Sequence, residues 1–370
     1  MVSELPLEWN TISDENIFLS IEYLRVLEKS TPSNMQCHYI GVFLNNKLVG
    51  ISISQFLNLN LLKSFGERDH FLKTSIRNFV FKNYCSHVLL IGNNMLSGQN
   101  SFAITDAISE TEMFHVLQLA VEDLKIIFKK QNTKIHITAY KDFGLKTSQK
   151  LSPLFKDYYL FSIQPNMTFT IANTWETDAD YVAALSKKYR DQHKRARKKC
   201  NDVEKRKLSF EEIKKHEVKI NELYQHVAKN SSFNTFFLAE NHFSVFKEEL
   251  GDQFLFYGYF IDNTLIGFNT LIKNGKVMDT YFLGYDASVQ REKMLYLNML
   301  YDMVSYSIKK KFKEIVFART ALEIKSSVGA QPIEMYGYIK HSSLLLDLFM
   351  GTIFRFLEPR VDWNRRNPFK

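Results

Sequence analysis

One acidic residue, Asp279, stands among apolar and tyrosine side chains in the segment from 276 to 285. If this segment is a strand, alternation places Asp279, Tyr281 and Leu283 on one face of it. A carboxylate surrounded by apolar side chains needs a hydrogen-bonding partner or a chemical role, because burial without either is costly. The pattern leaves two interpretations open. Asp279 is a structural aspartate with its hydrogen bonds satisfied, or it is a general base with Tyr281 or Tyr285 as the proton donor.

The segment after a predicted strand, Glu314–Arg319, carries the signals of a short helix. Thr320 and Glu323 have the spacing of a capping box, which predicts that a helix starts there. Gly329 can end that helix in a left-handed conformation. Under this interpretation Glu323 caps the helix and takes no part in chemistry.

Arg319 and Lys325 lie in the same segment but have no such structural assignment. The end of a strand that leads into a helix is the place where α/β folds hold their ligands. Two cations at that point are therefore candidates for binding an anionic group of a substrate. The alternative, that both are ordinary surface cations, stays open.

A strongly basic stretch precedes these residues. Between residues 187 and 199 there are eight Lys or Arg in thirteen positions. On a helix, one face would carry four cations and another would carry apolar side chains; the two sets are Lys187, Arg190, Lys194 and Arg197, and Val182, Leu185, Tyr189 and Ala196. The helix is either a solvated one docked by its apolar stripe, or a positive ridge for a phosphate-bearing ligand, a membrane or RNA.

Composition narrows the class of protein. The chain has 370 residues, 45% of them hydrophobic, which is enough for two domains with cores of their own. It contains no apolar run of membrane-spanning length and no secretory signal pattern at its start. Three cysteines without metal-ligand spacing are expected to be reduced thiols in a cytoplasmic protein, and ten scattered histidines predict no metal site. The net charge of +8 favours an anionic partner.

The elements that position these residues come in two copies. Ile40–Gly50 and Tyr257–Gly267 share five of eleven positions, and in each copy Asn or Asp residues separate two β-prone runs. Each half then reads as a strand, a helix and two further strands. The pattern predicts an α/β (α+β) fold with two mixed sheets flanked by helices. We expect one domain over residues 1–172 and another over residues 173–370.

Two helical segments of the second half complete this organisation. The basic helix is expected over residues 178–200, as an insertion before the second hairpin. An apolar helix is expected over residues 342–358, followed by Arg360, Arg365 and Arg366. It is too short to span a membrane. It either packs on the core or lies in the surface of an anionic membrane.

Three segments together resemble the GNAT superfamily, in its duplicated FemAB-like branch and the related biotin-synthesis-associated acetyltransferase-like family. They are the basic stretch Leu185–Lys199, the hairpin and strand Phe254–Tyr285, and the segment Phe317–Ala330 with its arginine, lysine and glycine. The resemblance covers roughly residues 178 to 332. The first half shares it only through the repeated hairpin.

This resemblance implies two tandem GNAT-like domains, the first of them degenerate, and an N-acyltransferase. An acyl group would pass from an acyl-CoA or acyl carrier protein thioester to an amine on a small-molecule or lipid-linked acceptor. Asp279 would be the base and Tyr281 or Tyr285 the acid, while Arg319 and Lys325 would hold an anionic group. Donor binding is assigned to three further cations, which are Arg190, Lys194 and Arg291.

The resemblance also implies alternatives. The pyrophosphate-binding loop of GNAT enzymes would fall at Gln290–Met294, where its glycines are absent. The FemAB-like branch suggests an aminoacyl transferase of the cell envelope that uses aminoacyl-tRNA on a peptidoglycan precursor. A third possibility is a non-catalytic module, or one attached to the inner face of the membrane. The first copy is expected to lack a site, because residues 139–144 contain no counterpart of Arg319.

Overall fold

The computed structural model describes residues 1–13, 16–62, 82–162, 164–230, 234–357 and 362–370. Its strands are, in chain order, β1 (Met35–Leu44), β2 (Lys47–Asn58), β3 (His87–Ile91), β4 (Phe102–Ile104), β5 (Ile137–Phe143), β6 (Tyr159–Ser162), β7 (Asn166–Thr170), β8 (Glu204–Lys207), β9 (Phe254–Ile261), β10 (Thr264–Asn274), β11 (Val277–Tyr285), β12 (Glu314–Ala318), β13 (Gln331–Ile333) and β14 (Tyr336–His341).

The α-helices are, in chain order, α1 (Trp9–Ser13), α2 (Ile21–Ser30), α3 (Glu110–Lys130), α4 (Leu145–Leu151), α5 (Asp178–Ala184), α6 (Lys187–Lys199), α7 (Phe210–Lys215), α8 (Glu217–Ala228), α9 (His242–Leu250), α10 (Ala287–Lys293), α11 (Leu295–Lys309), α12 (Leu322–Ser327), α13 (Leu344–Asp347) and α14 (Met350–Leu357). In the parts of the chain that the structure describes, none of these helices is long and apolar enough to cross a membrane.

The chain forms two compact units, each built from separate segments. Unit 1 comprises Met1–Gln164, Ser231–Ala239 and Glu334–Val361. Unit 2 comprises Pro165–Asn230, Glu240–Ile333 and Asp362–Lys370. Each unit contains a mixed sheet of seven described strands with helices packed on it, so the predicted fold class is confirmed.

The sheet of unit 1 has the order β1-β2-β3-β5-β14-β6, with β4 also paired to β2. Only β3 and β5 are parallel neighbours. The β1–β2 turn has Asn45 and Asn46 at φ 50° and 61°. Asparagine adopts this left-handed conformation more readily than most residues, which is why the sequence favours a tight hairpin here.

The sheet of unit 2 has the order β13-β7-β12-β11-β10-β9-β8. Its parallel pair is β11 and β12, and its first hairpin, β9–β10, turns at Asp262 and Asn263 with φ 47° and 62°. The central strands are therefore arranged as in unit 1, with a hairpin beside a strand that pairs in parallel with the next one.

The repeated glycines have the same neighbours in both units. A Cβ on Gly41 would lie 3.1 Å from Leu48 Cδ1, and a Cβ on Gly258 would lie 3.1 Å from Leu265 Cδ1. The second pair of repeated glycines, Gly50 and Gly267, leaves room for the helix that crosses each sheet. A Cβ on Gly50 would lie 2.8 Å from Met113 Sδ of α3, and one on Gly267 would lie 2.8 Å from Met299 Cε of α11. The repeat thus preserves one packing arrangement between hairpin and helix.

Both helices form because their apolar residues recur at helical spacing. Ser109 caps α3 through a capping box with Glu112. The apolar face of α11 consists of five residues at helical spacing, and all five are buried: Leu297, Leu300, Tyr301, Val304 and Ile308. Burial of such side chains contributes roughly 1.5–3 kcal/mol each relative to exposure.

Two strands lie in a sheet formed mainly by the other half of the sequence. β14 lies between β5 and β6 in the sheet of unit 1, whereas β7 lies between β12 and β13 in the sheet of unit 2. Pro165 lies between β6 and β7, which belong to different sheets. The domain bounds expected from the sequence, 1–172 and 173–370, remain a prediction. In the compact units, β14 belongs to unit 1 and β7 belongs to unit 2.

Some predicted helices begin or end elsewhere. Helix α2 starts at Ile21, where Ser20 accepts a hydrogen bond from the Tyr23 N–H. The apolar helix expected over residues 342–358 is two short helices, α13 and α14, and residue 358 is not described.

Candidate functional site

The parallel strands β11 and β12 of unit 2 pair over only three residues and then separate. Val277 is opposite Glu314, and Asp279 is opposite Val316. β11 continues to Tyr285, and within the described residues no other strand pairs with this edge beyond Asp279. Backbone N–H and C=O groups need hydrogen-bonding partners. An edge of this kind can therefore bind an extended, amide-bearing ligand as an added strand would.

A bulge lies in β11 at the point where the strands separate. Leu271 is opposite Thr280 and Asn269 is opposite Leu283, so three steps along β11 match two along β10. The Thr270 hydroxyl donates to the Phe282 carbonyl at 2.6 Å inside the bulge. Bulges redirect side chains and are common next to active sites.

The bulge overturns the alternation expected from the sequence. Tyr281 packs on Phe246 of α9, and the next residue, Phe282, packs on Tyr224 of α8. Leu283 instead packs in the core cluster that includes α11. The prediction that Tyr281 and Leu283 share a face is wrong, because the extra residue reverses the order of the faces.

Asp279 is buried, with 7% of its surface exposed. Burial raises the pKa of this carboxyl from 3.8 to about 7, opposed by a hydrogen bond from Asn274 and assisted by the negative charge of Glu314. Its Oδ2 has no hydrogen-bond partner among the described residues. A carboxylate with a pKa near neutrality and a free oxygen has the properties of a general base.

Tyr281 has a partner that the sequence did not reveal. The buried His242, the first residue of α9, lies with Nε2 at 3.0 Å from the Tyr281 hydroxyl. This contact can orient the hydroxyl and move a proton to or from it. Nothing in the pattern around His242 marks it, because its role depends on the packing of α9 against β11.

Tyr285 lies apart from this pair. It is the last residue of β11, is opposite Gly267, and its ring is 6.1 Å from that of Tyr296 in α11. It therefore packs on the side of the sheet that α11 covers. The structure groups Tyr281 with His242 and places Tyr285 in another environment.

The end of β12 is an irregular turn. Ala318, Thr320 and Ala321 have φ values of 58°, 70° and 49°, which are uncommon for residues other than glycine. Conformations of this kind cost free energy and concentrate at functional sites. The predicted capping box is wrong, because Ala321 is the N-cap of α12 and no side chain caps it. Glu323 instead accepts a hydrogen bond from the Arg366 guanidinium.

Lys325 holds this turn together. Its Nζ donates to the Ala318 carbonyl at 3.2 Å and to the Arg319 carbonyl at 2.7 Å, and the residue is 5% exposed. Burial lowers the pKa of this amine from 10.5 to about 7. The structure thus joins Arg319 and Lys325, with Gly329 at φ 107° after the helix, as the sequence predicts for the glycine.

The basic helix α6 is docked by part of its predicted cationic face. Arg197 pairs with Asp302 at 2.7 Å, and Arg190 donates to the Leu185 carbonyl. Two of the four cations predicted on one helical face, Arg190 and Arg197, therefore have partners within the protein. The exposed cations of α6 are Lys187, Lys188, Lys194, Arg195, Lys198 and Lys199. None of these six has an ion-pair partner among the described residues.

The three cations assigned to donor binding do not converge in the described contacts. Arg190 binds its own segment, whereas Lys194 and Arg291 are exposed. The segment expected to hold a pyrophosphate loop is instead helix α10 followed by Met294, which has a left-handed φ of 49°. Within the described residues no group of His, Cys, Asp or Glu could hold a metal ion.

Unit 1 has a different arrangement at the corresponding strand end. Lys141 and Asp142 of β5 form a buried ion pair, and Lys141 also donates to the Asn93 carbonyl at 3.1 Å in the loop after β3. Asp142 has a φ of 69°. These contacts give the lysine a structural role, and the expected absence of a site in this copy stays a prediction.

Comparison with known proteins supports the fold. No protein-family profile and no curated protein matches the chain. A crystal structure of FemX matches with a TM-score of 0.54 and 12% identity, covering 94% of this chain and 98% of that one. A conserved protein of unknown function from Bacteroides thetaiotaomicron VPI-5482 matches with a TM-score of 0.51 and 10% identity, over 92% and 97%. The resemblance to a FemAB-like protein is therefore confirmed for the fold.

Proposed function

We propose that this chain, which has the GNAT-superfamily, FemAB-like fold, is an N-acyltransferase. It would transfer an acyl group from an activated thioester, acyl-CoA or acyl-loaded carrier protein, to an amine. The observation that carries the proposal is the separation of β11 from β12 beside Asp279, a buried carboxyl with a pKa of about 7. Acyl transfer to an amine requires a place to bind the substrates and a base. The edge of β11 with its bulge would provide the first, and Asp279 the second.

The reaction assigned to these residues has two proton transfers. Asp279 accepts the proton of the attacking ammonium or amine, so that nitrogen can bond to the acyl carbon. Tyr281, held by His242, donates a proton to the departing thiolate. Backbone N–H groups on the edge of β11 would stabilise the negative charge that develops on the acyl oxygen. The products are an amide and a free thiol.

The cations have supporting roles in this proposal. Arg319 and Lys325 lie at the end of β12 and would hold an anionic group of the donor or acceptor. Arg190, Lys194 and Arg291 are proposed to extend the positive surface toward a phosphate-bearing part of the donor. Lys194 and Arg291 are exposed and free to do so, whereas Arg190 would have to leave its contact with Leu185.

The exposed cations of α6 favour a second candidate function, aminoacyl transfer from aminoacyl-tRNA to a peptidoglycan precursor. The six exposed cations can neutralise several phosphates, as contact with a nucleic-acid backbone requires, whereas a pyrophosphate has only two. Binding of tRNA should then weaken steeply with salt. Failure to bind tRNA at low salt would remove this candidate.

The first experiment is donor binding measured by thermal shift. Acyl-CoA species, acyl-loaded carrier protein and charged tRNA would be compared, because a ligand of the native state raises its stability by mass action. A shift with a thioester supports the first function, and a shift only with charged tRNA supports the second. No shift with any donor would contradict both and leave a non-catalytic module.

Two tyrosine variants test the assigned acid. We expect Tyr281→Phe to lower kcat on the order of 100-fold, because it removes the hydroxyl that His242 holds. Tyr285→Phe is the matched control, since that ring lies beside Tyr296 on the other side of the sheet. If Tyr285→Phe loses activity and Tyr281→Phe retains it, the assignment is reversed.

A further inference from the structure

An exposed apolar cluster lies on the C-terminal part of unit 1, outside the site described above. Leu344, Leu345, Leu348 and Phe349 are 82%, 74%, 81% and 60% exposed. All four lie within the six-residue segment 344–349, in α13 or directly after it. Single exposed hydrophobic residues are normal, but a contiguous group of four large ones marks an interaction surface.

The cluster is held in place by the residues that follow it. Met350 is buried, and a Cβ on Gly351 would lie 2.7 Å from the ring of Tyr159. Phe354 packs on Phe161 with ring centroids 4.7 Å apart. Helix α14 is thus docked on β6, and the four apolar side chains project from an anchored segment.

Cations precede and follow the cluster in the sequence. Asp347 is the only acidic residue between 341 and 354, and its carboxylate accepts the His341 backbone N–H at 2.7 Å. Lys340 precedes the cluster, and the sequence places Arg355 and Arg360 after it. Glu358 lies between these two arginines in the sequence, and the chain as a whole, with its net charge of +8, would be attracted by an anionic surface.

We propose that the segment 344–349 inserts its apolar side chains into the surface of an anionic lipid bilayer. A stable protein interface buries about 800 Å² on each partner, more than six residues provide. The four side chains offer no hydrogen-bonding groups, which a lipid surface does not require. Apolar insertion combined with attraction to anionic headgroups is the established physical basis of peripheral binding. This inference is independent of the reaction proposed above.

A second exposed apolar stripe provides a matched control. On α3, Val116, Leu119, Ile126 and Ile127 are exposed, but Glu122 and Asp123 are exposed among them. Glu122 is paired with Lys125 at 2.8 Å, and this stripe lies on a helix separate from the segment 344–349. Substitution on α3 therefore changes exposed hydrophobicity in the same unit without affecting the proposed surface.

The test is flotation of the full chain with vesicles of phosphatidylcholine and phosphatidylglycerol at 3:1. We expect the wild type to float with these vesicles and less with phosphatidylcholine alone. The double variant Leu344→Glu and Leu348→Glu should lower the bound fraction at least tenfold, whereas Leu119→Glu with Ile126→Glu should leave it unchanged. Melting temperatures of all variants should match the wild type, because each changed side chain is exposed.

A fluorescence measurement reports insertion directly. Phe349→Trp should gain a blue-shifted emission component when anionic vesicles are added, and the wild-type spectrum serves as the baseline. Absence of wild-type flotation, or equal flotation of the 344/348 variant, would overturn the proposal. So would self-association in sedimentation that the same variant abolishes, without any vesicle binding, since the surface would then bind a second copy.

Discussion

Two buried ionisable side chains in unit 2 have pKa values near neutrality for the same physical reason. Burial disfavours the charged form, so it raises the pKa of Asp279 and lowers that of Lys325, each to about 7. Near pH 7 both residues are divided between charged and neutral forms. Such perturbed groups are concentrated at functional sites, although structural networks produce them too.

Replacement of Asp279 by asparagine should have opposite effects on catalysis and on stability at pH 8. The folded-state pKa of about 7 exceeds the value of 3.8, so this group's contribution to stability is complete below pH 3.8 and is lost as pH rises through 7. Asp279→Asn should therefore be more stable than the wild type at pH 8, by about 2–4 kcal/mol. It should also lose on the order of 100-fold or more in kcat.

Urea unfolding at pH 5 and pH 8 measures the first effect, and a pH–rate profile measures the second. The wild-type rate should rise as pH passes through about 7, and the rate of Asp279→Asn should not show this rise. Full activity with an unchanged profile in Asp279→Asn would show that Asp279 is structural only.

Lys325 should have the opposite dependence on pH. Its folded-state pKa lies below 10.5, so the unfolded state binds the proton more tightly and stability rises between about pH 7 and 10.5. Lys325→Met should remove this rise, because methionine does not titrate. Lys325→Met should also abolish turnover while the protein stays folded, because the turn at Ala318–Ala321 loses the hydrogen bonds of the amine. Arg319→Ala should have the same effect on turnover, because it removes the cation of the turn.

Chemical unfolding at pH 7 and pH 10 measures this difference, with the exposed Lys194→Met as the control. If the free energy of unfolding changes equally between pH 7 and pH 10 in the wild type and in Lys325→Met, folding does not lower the pKa of the Lys325 amine. Wild-type turnover in both soluble site variants would contradict the role assigned to the turn.

At the scale of elements, the docking of α6 determines which of its cations are available. Arg197 donates to Asp302, whose other oxygen accepts from the Tyr259 hydroxyl at 2.9 Å. Tyr259 in turn accepts from Asn269 at 2.8 Å. This network joins the helix to the strands of unit 2 and leaves the remaining cations facing outward.

Loss of that network should destabilise the protein more than loss of an outer cation. Arg197→Ala should lower the free energy of unfolding by about 1–3 kcal/mol, because Asp302 and its partners lose a charged hydrogen bond in a partly buried place. Lys194→Ala on the same helix should change it by less than about 0.5 kcal/mol. Denaturant unfolding compares them, and equal effects would show that α6 does not depend on the pair.

At the scale of the whole molecule, the exchanged strands determine what can fold alone. β14 lies inside the sheet of unit 1, between β5 and β6, although it follows most of unit 2 in the sequence. Removing a strand from within a sheet exposes two unpaired edges and part of the core. A segment that ends before β14 therefore lacks a central part of unit 1.

A fragment of residues 1–172 tests this dependence. We expect it to be unfolded or aggregated, whereas the full chain unfolds cooperatively. Circular dichroism and amide chemical-shift dispersion provide the measurement. A monomeric, cooperatively unfolding 1–172 fragment would show that the domain expected from the sequence is self-sufficient and that β14 is dispensable.

Local pattern was enough for much of the fold. The paired turn residues Asn45–Asn46 and Asp262–Asn263 specify both hairpins, and helical spacing specifies the buried face of α11, because these features depend on neighbours a few positions away. The repeat itself was visible because the same glycines accommodate the same hairpin and helix contacts in both units. The placement of Arg319 at the end of a strand that leads into a helix followed from the same signals.

Only the tertiary structure decided the rest. The sheet that receives β7 or β14 depends on pairing between distant segments, which strand pattern does not encode. The bulge that separates Tyr281 from Leu283, and the contact of Tyr281 with His242, arise from packing across 39 positions of sequence. The pKa values of Asp279 and Lys325 follow from exclusion of water, a property of the assembled core that residue type alone cannot give.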